Sequence, residues 1–193
     1  MNKRSGATTK KRILDVASRV FSEYGYAGAN MRMIAGSANI GVSSLYLYFK
    51  NKEDLYLTLM KTKMDDFSDK TKRSIKDIAD PSETISAFIT MSLNYAKKHP
   101  AFMLLQRREH RFAFGIEMKK EFFKRQRNLI EDIIRHGMQS GAFRDVNVQE
   151  TAKIIFIVIR GFYLSVAVNP ASLFSSEKCS ELILNGLIRR DKK

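Results

Sequence analysis

The feature that most constrains this chain is the spacing of its apolar residues, which follows a helical period almost from end to end. Residues 13–21 carry apolar side chains at positions i, i+1, i+4, i+7 and i+8, which defines one face of a helix. No stretch alternates between apolar and polar residues as a half-buried strand does. Only three prolines interrupt the 193 residues. The sequence therefore predicts an all-α fold of about nine helices.

Capping residues and helix breakers place the boundaries between these segments. Side chains suited to cap a helix N-terminus precede several of them: Asn30, Asn51, Asp80, Asn147 and either Ser175 or Ser176. Gly25 stands where the first helix ends, and Pro100 forces a break after the fifth. The eighth segment, residues 148–168, is apolar on nearly every side, so we expect neighbouring helices to bury it on several sides.

The charge of the chain indicates a polyanionic partner. Thirty-four Lys and Arg residues against 20 Asp and Glu residues give a net charge of +14 and an isoelectric point near 9.9. Residues 1–52 hold nine basic and two acidic side chains, so half of the net charge lies on about a quarter of the chain. A phosphate backbone is the natural partner for such a concentration of positive charge.

Cysteine content and hydropathy indicate the compartment. The single cysteine, Cys179, excludes a disulfide framework and a cysteine-ligated zinc site, which favours a reducing, cytoplasmic setting. Asp15 and Arg19 interrupt any apolar stretch that could serve as a signal peptide. The longest strongly apolar run, residues 154–159, is far shorter than the ~20 residues that cross a bilayer. We expect a cytoplasmic protein with no membrane partner.

Residues 30–49 have the pattern of a helix, a short turn and a second helix, as in a helix-turn-helix DNA reader. Ala35 and Ala38 are small enough to lie where the two helices cross. Apolar anchors behind the second helix are Ile34, Ile40, Leu45 and Phe49. The opposite face presents Ser43, Ser44, Leu47 and Tyr48, with Tyr46 on its flank.

The stretch IAGSANIGVSSLYLYFKNKEDL, residues 34–55, resembles the signature of TetR-family transcriptional regulators. Upstream residues also match the first helix of that family: Ile13, Ala17, Phe21, Gly25 and Tyr26. The resemblance is close over residues 9–58, and the remainder agrees only in helix count, in His99 and Pro100, and in the turn at 141–143. It implies a DNA-binding domain at residues 1–52 and a helical effector-binding and dimerisation domain at residues 53–193.

Three positions depart from the family pattern. Asn39 and Gly41 stand where the family usually has a turn glycine and a capping serine. Because asparagine tolerates the left-handed conformation and glycine is an acceptable N-cap, we expect the turn geometry to survive. Ser43 replaces a usual glycine and adds a hydroxyl to the face that meets DNA. We expect this hydroxyl to change the preferred operator sequence.

The resemblance assigns roles in DNA binding by position. Tyr46 and Lys52 would contact phosphates, together with backbone N–H groups at the start of the fourth helix. Base edges would be met by Ser43, Ser44, Leu47 and Tyr48. Arg32 would contact a guanine or a phosphate, and the edge of the site would be held by Lys10, Lys11 and Arg12. The alternatives are a solvated helix face for the basic residues and simple packing for Tyr46.

The resemblance also implies a homodimer through the last two helices and a pocket for a small-molecule effector. Nine methionines and 13 phenylalanines favour an apolar or amphipathic ligand, because methionine repacks around irregular shapes. Candidate lining residues are Met60, Met64, Met91, Phe102, Met103, Arg107 and Phe122. Core packing is the alternative for the apolar residues, and a solvated charge run for Arg107.

The sequence gives no indication of an enzyme, a cofactor or a metal site. Asp132 and His136 are four residues apart and could bind a metal, but a surface pair near a helix C-terminus is the favoured interpretation. Cys179 has no neighbouring histidine, and no phosphate-binding glycine loop or serine nucleophile motif occurs. We expect no catalytic residues.

The helix-turn-helix pattern and the positive charge predict a DNA-binding protein, and the resemblance implies a sequence-specific transcriptional regulator: a repressor whose dimer binds a palindromic operator and is released by a small ligand. A basic helical protein that binds nucleic acid or anionic membrane surfaces nonspecifically is the alternative. The net charge fits both interpretations, but nonspecific attraction to phosphates does not require the spacing of the signature.

Overall fold

The structure, a computed structural model, describes residues 3–108, 115–169 and 173–188, and the side chains of residues 3–5 and 106–108 lie outside the description. The described residues form helices α1 Lys3–Gly28, α2 Met31–Ser37, α3 Val42–Tyr46, α4 Lys52–Ile75, α5 Pro81–Lys98, α6 Pro100–Arg108, α7 Ile116–Gln139, α8 Val148–Val168 and α9 Ser176–Leu187. The all-α prediction is confirmed.

The predicted capping residues begin their helices as expected. Side-chain oxygens of these residues accept hydrogen bonds from backbone N–H groups: Asn30 from Met33 at 3.0 Å, Asn51 from Asp54 at 2.8 Å, Asp80 from Ser82 at 2.9 Å, Asn147 from Glu150 at 3.0 Å and Ser175 from Lys178 at 3.0 Å. Gly25 adopts a φ of 71°, which a side chain would strain, so α1 kinks there.

The chain forms two compact units. The first contains residues 1–65 and 101–116, and the second contains residues 66–100 and 117–193. In the first unit α1 packs on α2 and α2 on α3, with Ile13, Ala17 and Ile34 fully buried. The domain boundary expected between residues 52 and 53 stays a prediction.

In the second unit α5 packs against α8 and α9. The side chains of Ile85, Ile89 and Leu93 are completely buried on α5. The Ser180 hydroxyl donates to the Ser86 hydroxyl at 2.8 Å, which joins α9 to α5.

Close packing of Phe143 on Gly137 near the end of α7 fixes the position of the segment that connects α7 to α8. The Phe143 amide donates to the Gly137 carbonyl at 2.9 Å, and the Phe143 ring is buried against that glycine. Arg144 then donates from its amide to the Leu187 carbonyl at 2.9 Å and from Nε to the Gly186 carbonyl at 2.7 Å. The α7–α8 connection is thereby tied to the end of α9.

Helix α8 differs from the expectation that the chain buries it on several sides. One stripe is buried: Ala152, Ile155, Ile159, Phe162 and Val166. Another apolar side is exposed: Ile154, Ile157, Val158, Leu164 and Val168. The expectation is wrong for the single chain. Helix α5 packs on α8 and Phe123 of α7 meets Phe156 with ring centres 5.8 Å apart, but the side that carries these five residues stays uncovered. Among the described residues, α8 is also the one helix long and apolar enough to cross a membrane, a test that core helices of soluble proteins also pass.

Candidate nucleic-acid interface

The turn between α2 and α3 has the geometry that the sequence predicted. Asn39 adopts a φ of 51°, in the left-handed region that asparagine tolerates better than most residues. Its amide donates to the Gly36 carbonyl at 3.0 Å, and the Ile40 amide donates to the Ala35 carbonyl at 3.0 Å. Gly41 is the N-cap of α3 in an extended conformation, without a side-chain hydrogen bond. The two departures from the family pattern therefore preserve the turn.

Buried residues hold α3 against the rest of its unit. Leu45 is fully buried and Phe49 is 1% exposed, as predicted for anchors of the reading helix. Ile34 and Ala35 are also fully buried. Ile40 is only half-buried and anchors the turn less than we expected.

The outward face carries the residues predicted to meet DNA. Leu47 is 77% exposed and Tyr46 is 51% exposed, and Ser43 is exposed beside the half-buried Ser44 and Tyr48. An uncovered leucine on a hydrated surface is available to a partner.

Helix α3 is shorter than the sequence predicted, because it closes in a tighter turn. The amide of Leu47 donates to the Ser44 carbonyl at 3.2 Å, and that of Tyr48 donates to the Leu45 carbonyl at 3.0 Å. Both bonds span three residues, as in a 3₁₀ turn. The helix therefore ends at Tyr46, and Leu47 and Tyr48 lie in the closing turn.

The predicted basic side chains of the first unit are exposed to solvent. Arg32 on α2 is exposed, as are Lys10, Lys11 and Arg12 on α1. The ammonium of Lys10 lies 5.5 Å from the centre of the Phe49 ring, which places the α1 cation beside the end of the reading turn. The predicted phosphate and base contacts of these residues stay predictions.

Lys52 has a structural role that sequence reasoning missed. Its Nζ donates to the carbonyls of Tyr26 at 2.7 Å and Ala29 at 2.8 Å, and it lies 4.5 Å from the centre of the Tyr26 ring. These carbonyls lie at the end of α1, where helices leave acceptors without intrahelical partners. Two of the three N–H bonds of the ammonium are thus used within the chain. The preference for cations at helix C-termini is the signal that could have suggested this role.

An aromatic cluster beneath Lys52 joins α1 to α4. Phe21 stacks on Tyr26 with ring centres 5.9 Å apart, and Tyr56 meets both rings edge-on at 5.5 and 5.3 Å. Tyr56 is 1% exposed. Such ring pairs each contribute about 0.5–1.5 kcal/mol beyond the area that they bury. The cluster fixes the start of α4 relative to the helix-turn-helix.

The predicted effector-binding residues lie in different surroundings. Met60, Met64, Phe102 and Met103 are buried in the first unit. In the second unit Phe122 is buried against Phe67, with ring centres 5.5 Å apart. The side chain of Arg107 lies outside the described residues.

A recess of about 440 Å³ opens in the second unit, and Met91 is the predicted effector residue that lines it. The other lining residues are Lys70, Arg73, Ser74, Asn94, Tyr95 and Lys98. Sequence reasoning missed these, although Met91, Tyr95 and Lys98 lie at i, i+4 and i+7 on one face of α5. This basic recess has the size of a small-molecule site.

The residues considered for metal binding or catalysis are engaged otherwise. Within the described ranges no group of three His, Cys, Asp or Glu side chains could hold a metal ion. The carboxylate of Asp132 accepts from Arg135 at 2.9 Å. Cys179 is buried, and this burial raises the pKa of its thiol above the ordinary value, which disfavours the nucleophilic thiolate.

Comparison with known families agrees with the site. Residues 13–59 match the family described as bacterial regulatory proteins, tetR family, and residues 60–166 match the C-terminal region of YsiA-like proteins. The chain belongs to the TetR family. It is a sequence-specific DNA-binding transcriptional regulator, as the sequence predicted, and the nonspecific alternative is not supported.

Relatives within the TetR family cover most of the chain. The fatty acid metabolism regulator protein of Bacillus subtilis is 30% identical over 75% of this chain and 76% of its own length. The transcriptional repressor KstR2 of Rhodococcus jostii is 29% identical over 76% of this chain and 72% of its own. The crystal structure of FadR from Bacillus subtilis in complex with stearoyl-CoA is 26% identical, with a TM-score of 0.74 over 91% of this chain and 95% of that one. These relatives are named as transcriptional regulators and not as enzymes.

Proposed function

We propose that this TetR-family regulator is a cytoplasmic repressor that binds an inverted-repeat operator as a homodimer and is released by a fatty acyl-CoA. The observation that carries the proposal is the exposed reading face around Leu47, held by the buried Leu45 and Phe49 inside the segment that matches the family. We infer no catalytic activity, because the family that the chain matches and its relatives are transcriptional regulators.

For the DNA, the supporting arrangement is a small polar and apolar face bordered by cations. Leu47 can touch a thymine methyl, while Ser43 and Tyr48 carry hydroxyls for base edges. Arg32 supplies a guanidinium for a guanine or a phosphate, and Tyr46 a hydroxyl for a phosphate. Lys52 retains one ammonium N–H beyond the two that bind carbonyls, and we propose that it meets a phosphate.

For the dimer, the support is the exposed apolar side of α8 together with that of α9. Leu182 on α9 is 76% exposed, and Ile157 and Ile154 on α8 are 66% and 62% exposed. A monomer leaves such patches uncovered at a cost in solubility, whereas a twofold pairing of two copies covers both at once. A dimer would place two reading heads on half-sites roughly 34–36 Å apart, or farther for longer sites.

For the effector, the support comes from two relatives. The relative from Bacillus subtilis is a fatty acid metabolism regulator, and the FadR structure holds stearoyl-CoA. An acyl-CoA is amphipathic, which agrees with the ligand class that the methionine and phenylalanine content favoured. Release follows if the ligand binds more tightly to a conformation whose reading heads are wrongly spaced, and operator affinity then falls by that difference in free energy.

The test begins with selection of random double-stranded DNA by the full-length chain at near-physiological salt, followed by sequencing. We expect enrichment of one inverted repeat. Binding without enrichment that disappears as salt rises would instead support purely electrostatic attraction and refute the operator proposal.

The enriched DNA then serves as the probe for the effector. We expect stearoyl-CoA to release it at concentrations where coenzyme A alone does not. Equal operator affinity with and without saturating acyl-CoA of several chain lengths would refute the effector proposal while leaving the operator proposal intact.

A further inference from the structure

The basic recess between α4 and α5 contains cations that form no ion pair within the described part of the chain. It is lined from α4 by Lys70, Arg73 and Ser74 and from α5 by Met91, Asn94, Tyr95 and Lys98. Three of these seven residues are basic and none is acidic. All of them belong to the second unit.

One of the three cations is balanced locally. The ammonium of Lys70 lies 2.9 Å from a carboxylate oxygen of Asp66 and 5.0 Å from the centre of the Tyr95 ring. Although burial opposes it, hydrogen bonds from Lys70 and Tyr95 hold the pKa of Asp66 below its ordinary value, so this carboxylate is ionised at neutral pH. Burial and the neighbouring Asp66 carboxylate raise the pKa of Tyr95, which stays a neutral donor.

The other two cations lack such a counter-charge. Among the residues that the structure describes, neither Arg73 nor Lys98 forms an ion pair with a carboxylate. Arg73 donates through Nε to the backbone carbonyl of Asp69 at 3.2 Å, and its two terminal nitrogens make no hydrogen bond to the residues that the structure describes, so they remain donors for a ligand. The recess therefore offers about two uncompensated positive charges to a ligand.

The remaining lining suits the other parts of an amphipathic molecule. Met91 and the buried ring of Tyr95 give apolar surface, while Asn94 and Ser74 add hydrogen-bonding groups. Cations beside an apolar wall match a molecule that carries phosphates at one end and a hydrocarbon chain at the other. A free fatty acid carries at most one negative charge and would use less of this site.

We propose that Arg73 and Lys98 bind the phosphate groups of the acyl-CoA effector in this recess. The inference rests on the proposed effector class and names the residues that recognise its head. Arg73 offers a planar pair of donors to phosphate oxygens, and Lys98 offers a point charge. Binding of the head would join the end of α4 to the end of α5.

A helix-end role is the competing explanation for these cations. Arg73 lies in the last turn of α4 and Lys98 in the last turn of α5, where any cation favours the helix dipole. Lys72 also lies in the last turn of α4 and is exposed, but it does not line the recess. The Lys72→Gln variant is therefore a matched control that removes a helix-end charge without touching the recess.

The experiment measures, by calorimetry on the full-length protein, the affinity for stearoyl-CoA, stearate and coenzyme A. We expect the double variant Arg73→Gln and Lys98→Gln to bind stearoyl-CoA about 10–100-fold more weakly than the wild type. This range assumes that each lost charged contact weakens binding by roughly tenfold or less. Its affinity for stearate should fall less than its affinity for stearoyl-CoA, because stearate carries a single negative charge. Its melting temperature should fall by no more than about twice the fall in Lys72→Gln, because all three side chains are exposed cations at helix ends. The Lys72→Gln variant should bind all three probes as the wild type does.

The outcomes separate the two proposals. If stearoyl-CoA binds the wild type and the double variant equally, the recess does not hold the phosphates and this inference fails, while the effector proposal stands. An equal loss in the Lys72→Gln variant would also overturn it, since general charge would then explain the effect. If the wild type binds stearate as tightly as stearoyl-CoA, or binds neither, both the phosphate inference and the acyl-CoA proposal are overturned.

Discussion

Replacing Lys52 with methionine tests whether this lysine stabilises the helix-turn-helix unit by binding the end of α1. Methionine keeps the length of the apolar stem and removes the ammonium, which donates to two carbonyls at the end of α1 and lies over the Tyr26 ring. The matched control is Lys50→Met, since Lys50 is an exposed neighbour whose backbone amide, not its side chain, makes the contact to Asp54.

The expected cost follows from the contacts that are lost. Two hydrogen bonds from a charged donor contribute about 1.5–3 kcal/mol each, and the contact with the ring adds about 0.5–1 kcal/mol at a partly exposed site. Water reaches both carbonyls once the ammonium is gone, and the freed side chain regains about 1.5–2 kcal/mol of rotamer entropy. We therefore expect a net loss of about 2–3 kcal/mol, or roughly 5–10 °C in melting temperature for a chain of this size.

Thermal unfolding of both variants and hydrogen exchange of the α1–α3 amides measure this effect. A Lys52→Met protein that melts and exchanges like Lys50→Met would refute the structural role. Operator binding across a salt series tests the phosphate contact separately. The slope of log K against log salt should fall in magnitude by about 0.9 for each lost phosphate contact. An unchanged slope would refute the phosphate contact and leave the structural role intact.

Three further predictions concern the fold, the turn and the dimer. In Gly137→Ala the new Cβ would overlap the buried Phe143 ring, so we expect denaturant unfolding to show a loss of about 1–3 kcal/mol. Gly36→Ala has open space around it and should change the free energy of unfolding by about 1 kcal/mol or less, so equal effects in the two variants would contradict this packing. Asn39→Val places a β-branched residue at a φ of 51°, so it should lower the free energy of unfolding by about 1–3 kcal/mol and weaken operator binding. Asn39→Gly should keep the wild-type melting temperature and the wild-type operator affinity in a gel-shift assay, because glycine adopts this φ without strain. Leu182→Glu charges a side chain that is 76% exposed in the single chain, so ultracentrifugation should detect monomers and operator affinity should fall at least about tenfold; an unchanged dimer mass would exclude this surface as the interface.

Local chemistry explains why helix positions were predictable from the sequence. A cap such as Asn147 and a break such as Pro100 act within a few residues, and so does the preference of Asn39 for a left-handed turn. The anchors Leu45 and Phe49 were predictable for a similar reason, since the helical period places them on one face. The end of α3 was not predictable from the sequence, because a tighter closing turn competes there with continuation of the helix.

Long-range contacts required the tertiary structure. The carbonyl partners of Lys52 lie 26 and 23 residues earlier in the chain, and the basic recess needs residues from both α4 and α5. Periodicity reports that α8 is apolar, but it does not say whether this chain or a second copy covers each side. The helices, the turn and the excess of positive charge were readable from the sequence, because each depends on neighbouring residues or on composition. Which cations are neutralised and which apolar sides stay exposed became visible in the folded chain, because burial and ion pairing depend on residues distant in the sequence.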